Sequence, residues 1–309
     1  MLRDLRAADA PRVLEFLRHE FPEEEAILGT RIEGFEKVVR RIFRWDAKLL
    51  LGLLRLVGRP VYRFFVIEDG GAIAATTLLT FPTGTGYVSM VVVDPAHRRR
   101  GFARRLLEEA RRATVRRGRP FVALDVLEGN APARALYESI GYRTLRATGY
   151  FVRDGGAVPP AASAAVRPFR RTDAAPLAAI AQRSAPPEVA KVLPVRPRDL
   201  LGDAWAAGLL STVTCAWVVD RGAGPEAYLA ASRTPVTEAG HLTAPIVADG
   251  ADPAAVAALV ASAVGWLVAA GVPRIVSMVP EANARGRAAL EEAGFRHAIG
   301  ILTLYRPSA

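Results

Sequence analysis

Cysteine is almost missing from this 309-residue chain, which holds only Cys215. A lone thiol makes no intrachain disulfide, so the chain fits a reducing, cytoplasmic compartment. Cys215 itself reads as a small apolar core residue. Lysine is nearly as scarce, at Lys37, Lys48 and Lys191, so arginine carries the net charge of +10. The four histidines, His19, His97, His241 and His297, form no spaced set with cysteine or carboxylates, and no metal site is expected. Long apolar runs are also lacking. "KLLLGLLRLVG", residues 48–58, is too short to span a bilayer and suits a buried helix or a wall of a substrate cleft. The start "MLRDLRAADAPRVLEFL" is too charged for a signal peptide, so none is expected, and neither is a membrane partner. Aromatic residues make up 7% of the chain and are not interleaved with its basic runs. Nucleic-acid stacking platforms need that interleaving, so the basic charge points first to an anionic ligand. A compositional bias toward arginine is the plain alternative.

Half of the residues are hydrophobic, and 309 residues are enough for two packed cores. Asp9 and Pro11 begin a helix with Val13, Leu14 and Leu17 on one face. Helical spacing continues through "EGFEKVVRRIF" and "WDAKLLLGLLRL". The period then changes to that of strands. "VYRFFVIE" and "AIAATTLLTF" flank Asp69-Gly70-Gly71 as a hairpin, and "YVSMVVV" follows a turn at residues 83–86. A helix from about Arg99, strand "FVALDV", helix "APARALYESI" and two short strands near Arg153 complete a unit.

"RDGGAVPPAASAAV" has no apolar period and reads as a linker. Beyond it the pattern returns. "VRPFRRTDAAPLAAI" repeats "LRDLRAADAPRVLEF", placing Asp173 on Asp9 at an offset of 164. "GVPRIVSMVPEANARGRAALEEAGFR" lies on "GRPFVALDVLEGNAPARALYESIGYR" at an offset of 153, without a gap and with 11 of 26 positions identical. Two matches in the same order make the chain a tandem repeat of one domain, with boundaries at 1–152, linker 153–165 and 166–309.

Three arginines, Arg98, Arg99 and Arg100, crowd the start of the helix in "DPAHRRRGFARRLLEEARR". A helix N-terminus already carries partial positive charge, so cations there are unfavourable on their own account. The cluster makes sense around a polyanion. Orphan backbone N–H groups and guanidinium groups would hold it together, Gly101 would let the backbone approach, and Ala103 would leave room. A solvated basic helix face is the other reading of the same residues.

The order strand, Pro-containing turn, R-x-x-G-x-A, helix, strand and N-x-x-A-x-x-x-Y-x-x-x-G-[FY], as in "VVVDPAHRRRGFARRLL…LDVLEGNAPARALYESIGY", resembles the GNAT superfamily of acetyl-CoA-dependent N-acetyltransferases. The resemblance implies an α/β (α+β) fold: two tandem domains, each a mixed, mostly antiparallel sheet flanked by helices. It implies that the strand Val91, Val92, Val93 splays from the strand Val122–Val126 and holds the pantetheine arm of acetyl-CoA. The turn Arg98, Arg99, Arg100, Gly101, Phe102, Ala103 would take the pyrophosphate, and Asn130 and Tyr137 would flank the thioester. Tyr137 matches the family's acid, which protonates the departing thiolate. Backbone N–H near Val91 is the expected oxyanion donor.

Asp125 matches the place of a glutamate base in enzymes that acetylate ribosomal-protein N-termini. A strand-end carboxylate paired with an arginine and a relaying water are the competing readings for it. Glu68 and Asp69 read as solvated turn residues.

The second copy lacks these groups. Arg98–Ala103 falls on Ala251–Val256, "ADPAAV", where Asp252 and Pro253 start a helix. Tyr137 falls on Leu290 and Asp125 on Met278. The expected partners are therefore acetyl-CoA, bound in the first domain, and an amine acceptor that the sequence does not specify. A noncatalytic CoA-responsive or nucleic-acid-binding module is the alternative.

Overall fold

A computed structural model of the chain describes residues 1–20, 62–81, 84–158, 163–201, 212–234 and 237–309. The expected helices in "EGFEKVVRRIF" and "WDAKLLLGLLRL", and the run 48–58, lie outside the described residues. In chain order the elements are β1 (Leu2–Asp4), α1 (Ala10–Glu20), β2 (Tyr62–Asp69), β3 (Ala72–Thr80), β4 (Gly86–Val93), α2 (Phe102–Val115), β5 (Phe121–Leu127), α3 (Ala131–Ser139) and β6 (Arg143–Asp154). They continue with β7 (Val166–Pro168), α4 (Ala174–Ser184), α5 (Pro187–Val192), α6 (Pro197–Leu200), β8 (Val213–Asp220), β9 (Pro225–Arg233) and β10 (Ala239–Leu242). The last are β11 (Ile246–Val247), α7 (Pro253–Ala269), β12 (Arg274–Pro280), α8 (Ala284–Glu292) and β13 (Arg296–Pro307).

These elements form two compact units, the first of them drawn from two separate stretches of the chain. The first holds the described residues up to Leu145 together with Leu302–Ala309, and the second holds 146–301. In the first unit the strands run β1-β2-β3-β4-β5, followed by β13. All pairs from β1 to β4 are antiparallel, whereas β4 and β5 are parallel. Helix α2 buries Phe102, Leu106, Leu107, Ala110 and Ala113 against this sheet and turns Arg104, Arg105 and Arg112 outward. That is the apolar stripe of an amphipathic helix. It starts at Phe102, three residues later than the sequence suggests, because Arg99 and Gly101 take left-handed backbone angles, φ 60° and 77°.

The second unit has the order β6-β12-β10-β9-β8-β7, with β11 added to β9. Each unit is therefore a mixed, mostly antiparallel sheet flanked by helices. One long strand, β6, stands where two short strands are expected, and its residues Thr148–Asp154 pair with β12 in the second unit. Cys215 is half-buried on β8, beyond the three residues that β7 covers.

The repeat is visible in the interactions as well. In the first copy Arg3 grips Asp9 at 2.6 Å and Glu68 at 3.0 Å. In the second, Arg167 grips Asp173 at 2.8 Å and Asp220 at 2.7 Å. Asp9 and Asp173 also accept backbone N–H bonds, from Arg6 and Arg170, each at 2.7 Å. Asn130 and Asn283 cap α3 and α8 in the same way, accepting from Ala133 and Gly286. Gly141 and Gly294 follow those helices at φ 90° and 84°, left-handed angles that glycine adopts without strain.

The two arginine–aspartate clamps make stability acid-sensitive. The paired arginine holds each carboxyl below its usual range; burial opposes this and the backbone N–H bond reinforces it. A carboxyl lowered on folding stabilises the fold above its unfolded pKa of about 4, and that stability is lost as pH falls through the folded value. Asp173, the more buried of the two, should show it best. Asp173→Asn should cost about 3 kcal/mol at pH 7, as breaking a buried ion pair does, and should flatten the loss of stability below about pH 4. Urea unfolding at a series of pH values measures both.

Candidate active site

Strand β4 carries an irregularity that aims its last residues. Its register against β3 shifts between Leu78↔Ser89 and Thr76↔Val92, and Met90 sits at φ 53°. A left-handed non-glycine residue costs about 1–2 kcal/mol, and a bulge resets the two-residue alternation of a strand. Val88 therefore shares a face with Val91 and Val93, although Val91 is three positions on from Val88, an odd spacing. All three pack on the core that holds Phe102, Leu106, Val126 and Tyr137. Val92 faces the other way, against Val13, Phe16, Val66 and Ile73.

The parallel ladder between β4 and β5 runs only from Gly86↔Val122 to Val88↔Leu124. Beyond it, residues 89–93 of β4 and 125–127 of β5 are not paired with each other. The ladder ends where the family resemblance implies an opening between the two strands.

At the end of β4 the chain turns through Asp94, which accepts the Ala96 N–H at 2.9 Å and pairs with Arg12. Burial works against the Asp94 carboxylate, but the Ala96 N–H, His97 and Arg12 together keep it below the ordinary range. Arg98 follows, its Nε donating to the Val93 carbonyl at 3.3 Å. Gly101 is the N-cap of α2 and has no side chain to satisfy the first turn, which also lacks an acidic residue. The N–H groups there point out of the helix with no intrahelical acceptor.

Arg98, Arg99 and Arg100 are all exposed around this turn. Arg100 pairs with Asp69 at 2.7 Å and lies 5.1 Å from the centre of the Phe102 ring. Glu68 and Asp69 are thus ion-paired, with Arg3 and Arg100, rather than merely solvated.

Tyr137 lies on α3, buried in the core that Val91, Val93 and Phe102 share. Its ring packs 6.1 Å from that of Tyr142. Burial pushes the phenol up to about 12, so it stays protonated at neutral pH. Asn130 is exposed at the start of the same helix, where its carbonyl caps α3. Asp125 is exposed on β5, and its Oδ1 accepts the hydroxyl of Thr303 at 2.7 Å. The fold thus gathers Val91, Val93, Phe102 and Tyr137 around one core, sets Asp125 on β5, and leaves the arginines outside. Thr303 is the residue that sequence reasoning misses. It stands 178 positions away, and only the placement of the last strand brings it in.

The second unit has a different site. Asp252 caps α7 by accepting the Ala254 N–H at 3.2 Å, so a carboxylate occupies the helix start. Leu290 is fully buried in the position of Tyr137. A cavity of about 830 Å³ lies among residues 180–200, 243–249 and 280–285. Two contacts bridge the last two of those segments, Asn283 Nδ2 to the Pro245 carbonyl at 2.8 Å and Arg285 to Asp249 at 2.5 Å. Among the described residues there is no cluster of three potential metal ligands and no helix long and apolar enough to cross a membrane.

Known proteins share both the motif and the architecture. Residues 13–142 match the model of the acetyltransferase (GNAT) family. A ribosomal protein bS18-alanine N-acetyltransferase of Escherichia coli K12 is 33% identical over 96 residues, which are 30% of this chain and 65% of the relative. The chain therefore spans just under two thirds of that relative's length.

Among solved structures, a tandem GNAT protein from the clavulanic acid biosynthesis pathway aligns with 100% of this chain and 98% of its own. Its TM-score is 0.64 at 16% identity. A GCN5-related N-acetyltransferase from Sphaerobacter thermophilus covers 100% of this chain and 95% of its own, with a TM-score of 0.66 at 16% identity. The strands whose ladder ends early, the uncapped helix start and the buried tyrosine thus all lie within or beside the stretch, residues 13–142, that matches the acetyltransferase (GNAT) family model.

Proposed function

We propose that this protein is an N-acetyltransferase that moves the acetyl group of acetyl-CoA to a primary amine. The observation that supports it best is convergence. Val91 and Val93, at the open end of β4, and Tyr137, on α3, pack on one core beside a helix start that only glycine caps. Acetyl-CoA fits that arrangement part by part. Its pyrophosphate suits the N–H groups and guanidinium groups of Arg98–Ala103. Its pantetheine arm suits the unpaired edges of β4 and β5, where the Val91 and Val93 backbone offers amide partners. Its thioester then comes to lie between β4 and Tyr137, near Asn130.

The chemistry is a direct attack. The neutral amine nitrogen adds to the thioester carbonyl, and a backbone N–H near Val91 stabilises the oxyanion. Collapse breaks the C–S bond, and the thiolate, with a pKa of about 8.5, takes a proton from the Tyr137 hydroxyl. The proton released by the new amide nitrogen passes to Asp125, directly or through water. The products are the N-acetylated acceptor and CoA thiol. The E. coli relative is named for an alanine of ribosomal protein bS18, and the only amine an alanine residue can offer is the α-amino group of a chain's first residue. That favours a peptide N-terminus as the acceptor, with a lysine or a small amine as the other classes.

Under this reading residues 1–152 form the catalytic copy and 166–309 a degenerate one that shapes acceptor selection. A reducing cytoplasm suits the chain's single, unpaired thiol. Release of CoA thiol from acetyl-CoA in the presence of N-terminal peptides, lysine peptides and small amines tests the proposal. Amine-dependent release is expected. Tight acetyl-CoA binding without release for any amine would make the chain a CoA-responsive module instead.

A further inference from the structure

The last strand of the chain does more than close a sheet. Residues Leu302–Ala309 belong to the first unit, although 146–301 form the second. Ser308 N–H donates to the Pro120 carbonyl at 2.9 Å and Ser308 Oγ donates to the Arg119 carbonyl, which fixes the strand beside the start of β5. Arg143 donates to the Tyr305 hydroxyl at 3.0 Å, and the Tyr305 ring meets Phe121 edge-on at 6.0 Å. Five residues back from Ser308, in the same antiparallel register, Thr303 meets Asp125, five residues on from Pro120.

The repeat shows what this register selects. At an offset of 153, Thr303 corresponds to Tyr150 and Asp125 to Met278. Tyr150 and Met278 are themselves cross-strand partners in the second unit. Each copy thus gives its terminal strand to the other unit, and the exchange sorts the pairs by chemistry. The hydroxyl goes to the carboxylate, and the aromatic ring goes to the apolar side chain.

We propose that Thr303 is a positioning residue for Asp125, so that the second half of the chain completes the catalytic site of the first. This rests on the acetyltransferase reading above. The carboxylate of Asp125 is exposed, and a short side chain on a strand samples several rotamers. Thr303 is 1% exposed and held by the β13 backbone, so its hydroxyl is a fixed donor. By occupying Oδ1 it holds the carboxylate in one orientation and leaves Oδ2 to take the proton of the acceptor amine. A β-branched residue suits that task, because its own χ1 is restricted.

The test is a double-mutant cycle on the full chain. Thr303→Val keeps the shape and removes the donor. It should lower kcat about tenfold while leaving acetyl-CoA affinity, read by calorimetry, within about twofold. Thr303→Ser should restore kcat to within about threefold of the wild type. In an Asp125→Asn background, Thr303→Val should change kcat less than about twofold, because there is no carboxylate left to orient. A structural role would carry its loss undiminished into that background. Wild-type kcat in Thr303→Val, failure of the serine to rescue, or an undiminished loss beside Asp125→Asn overturns the inference while acetyl transfer stands. Absence of turnover in the wild-type chain overturns the enzymatic reading itself and this inference with it.

Discussion

Tyr137→Phe should lower turnover by about 10²–10⁴, the range that a positioned general acid contributes. The side chain is buried, and its ring packs against Tyr142 and the core of β4 and α2. Phenylalanine keeps that packing, so stability and acetyl-CoA affinity should change little. Only the proton is lost. Burial raises the phenol to about 12, which keeps the acid form in place through the pH range where amines become neutral and reactive. Steady-state rates beside calorimetric affinity separate the two effects. A fall in kcat without a fall in affinity is the signature of a group that acts in the transition state. Near wild-type turnover would reduce Tyr137 to a core residue.

The second large effect is expected at the start of α2. Arg100→Glu reverses a charge beside the helix N-terminus and places the new carboxylate next to Asp69, which Arg100 now neutralises at 2.7 Å. A polyanion approaching that turn would meet repulsion where it met attraction. Acetyl-CoA affinity should fall by about 10²-fold, the cost of about 3 kcal/mol for a charged contact reversed. Gly101→Val acts through the backbone. Nothing lies within 4 Å of a Cβ built there, so no protein atom resists the side chain. The strain comes from φ 77°, a left-handed angle that a β-branched residue avoids. Relief of that strain would tilt the first N–H groups of α2 and would put a side chain where the phosphates approach. Affinity should fall by at least tenfold, with the circular dichroism of the chain unchanged. Unaltered affinity in both variants would remove the turn from the site.

The sequence carries the architecture well in some places and not in others, for physical reasons. Strands β2 and β3 are legible because β-branched and aromatic runs flank a glycine turn. Helix α2 is legible because its apolar residues recur with helical spacing. The proposed anion site is legible because Arg98, Arg100 and Gly101 occur together where a helix begins. The repeat is legible from an ungapped alignment, and the paired clamps Arg3–Asp9 and Arg167–Asp173 give it a structural counterpart.

Two features leave no local trace. One is the bulge at Met90, since no sequence pattern marks a methionine at φ 53°, yet it turns Val91 and Val93 toward the core. The other is the exchange of terminal strands. Residues 149–154 and 302–307 are equivalent by repeat, so local propensity fits either partner equally. Only long-range pairing assigns β6 to β12 and the end of β13 to the first unit. Thr303 is invisible to sequence reasoning for that reason, and so is its contact with Asp125.

Where acetyl-CoA binds, and how many molecules bind, distinguishes the two copies most directly. The first unit has an uncapped helix start ringed by arginines. In the second, Asp252 already accepts the Ala254 N–H, and Asn283 and Arg285 bridge the segments that flank its cavity. Isothermal titration of the full chain with acetyl-CoA should therefore give one site per chain, and that site should weaken about 10²-fold in Arg100→Glu while an Asp252→Ala variant keeps it at full affinity. A stoichiometry of two, or a single site that keeps its affinity in Arg100→Glu and disappears with Asp252→Ala, would contradict the account.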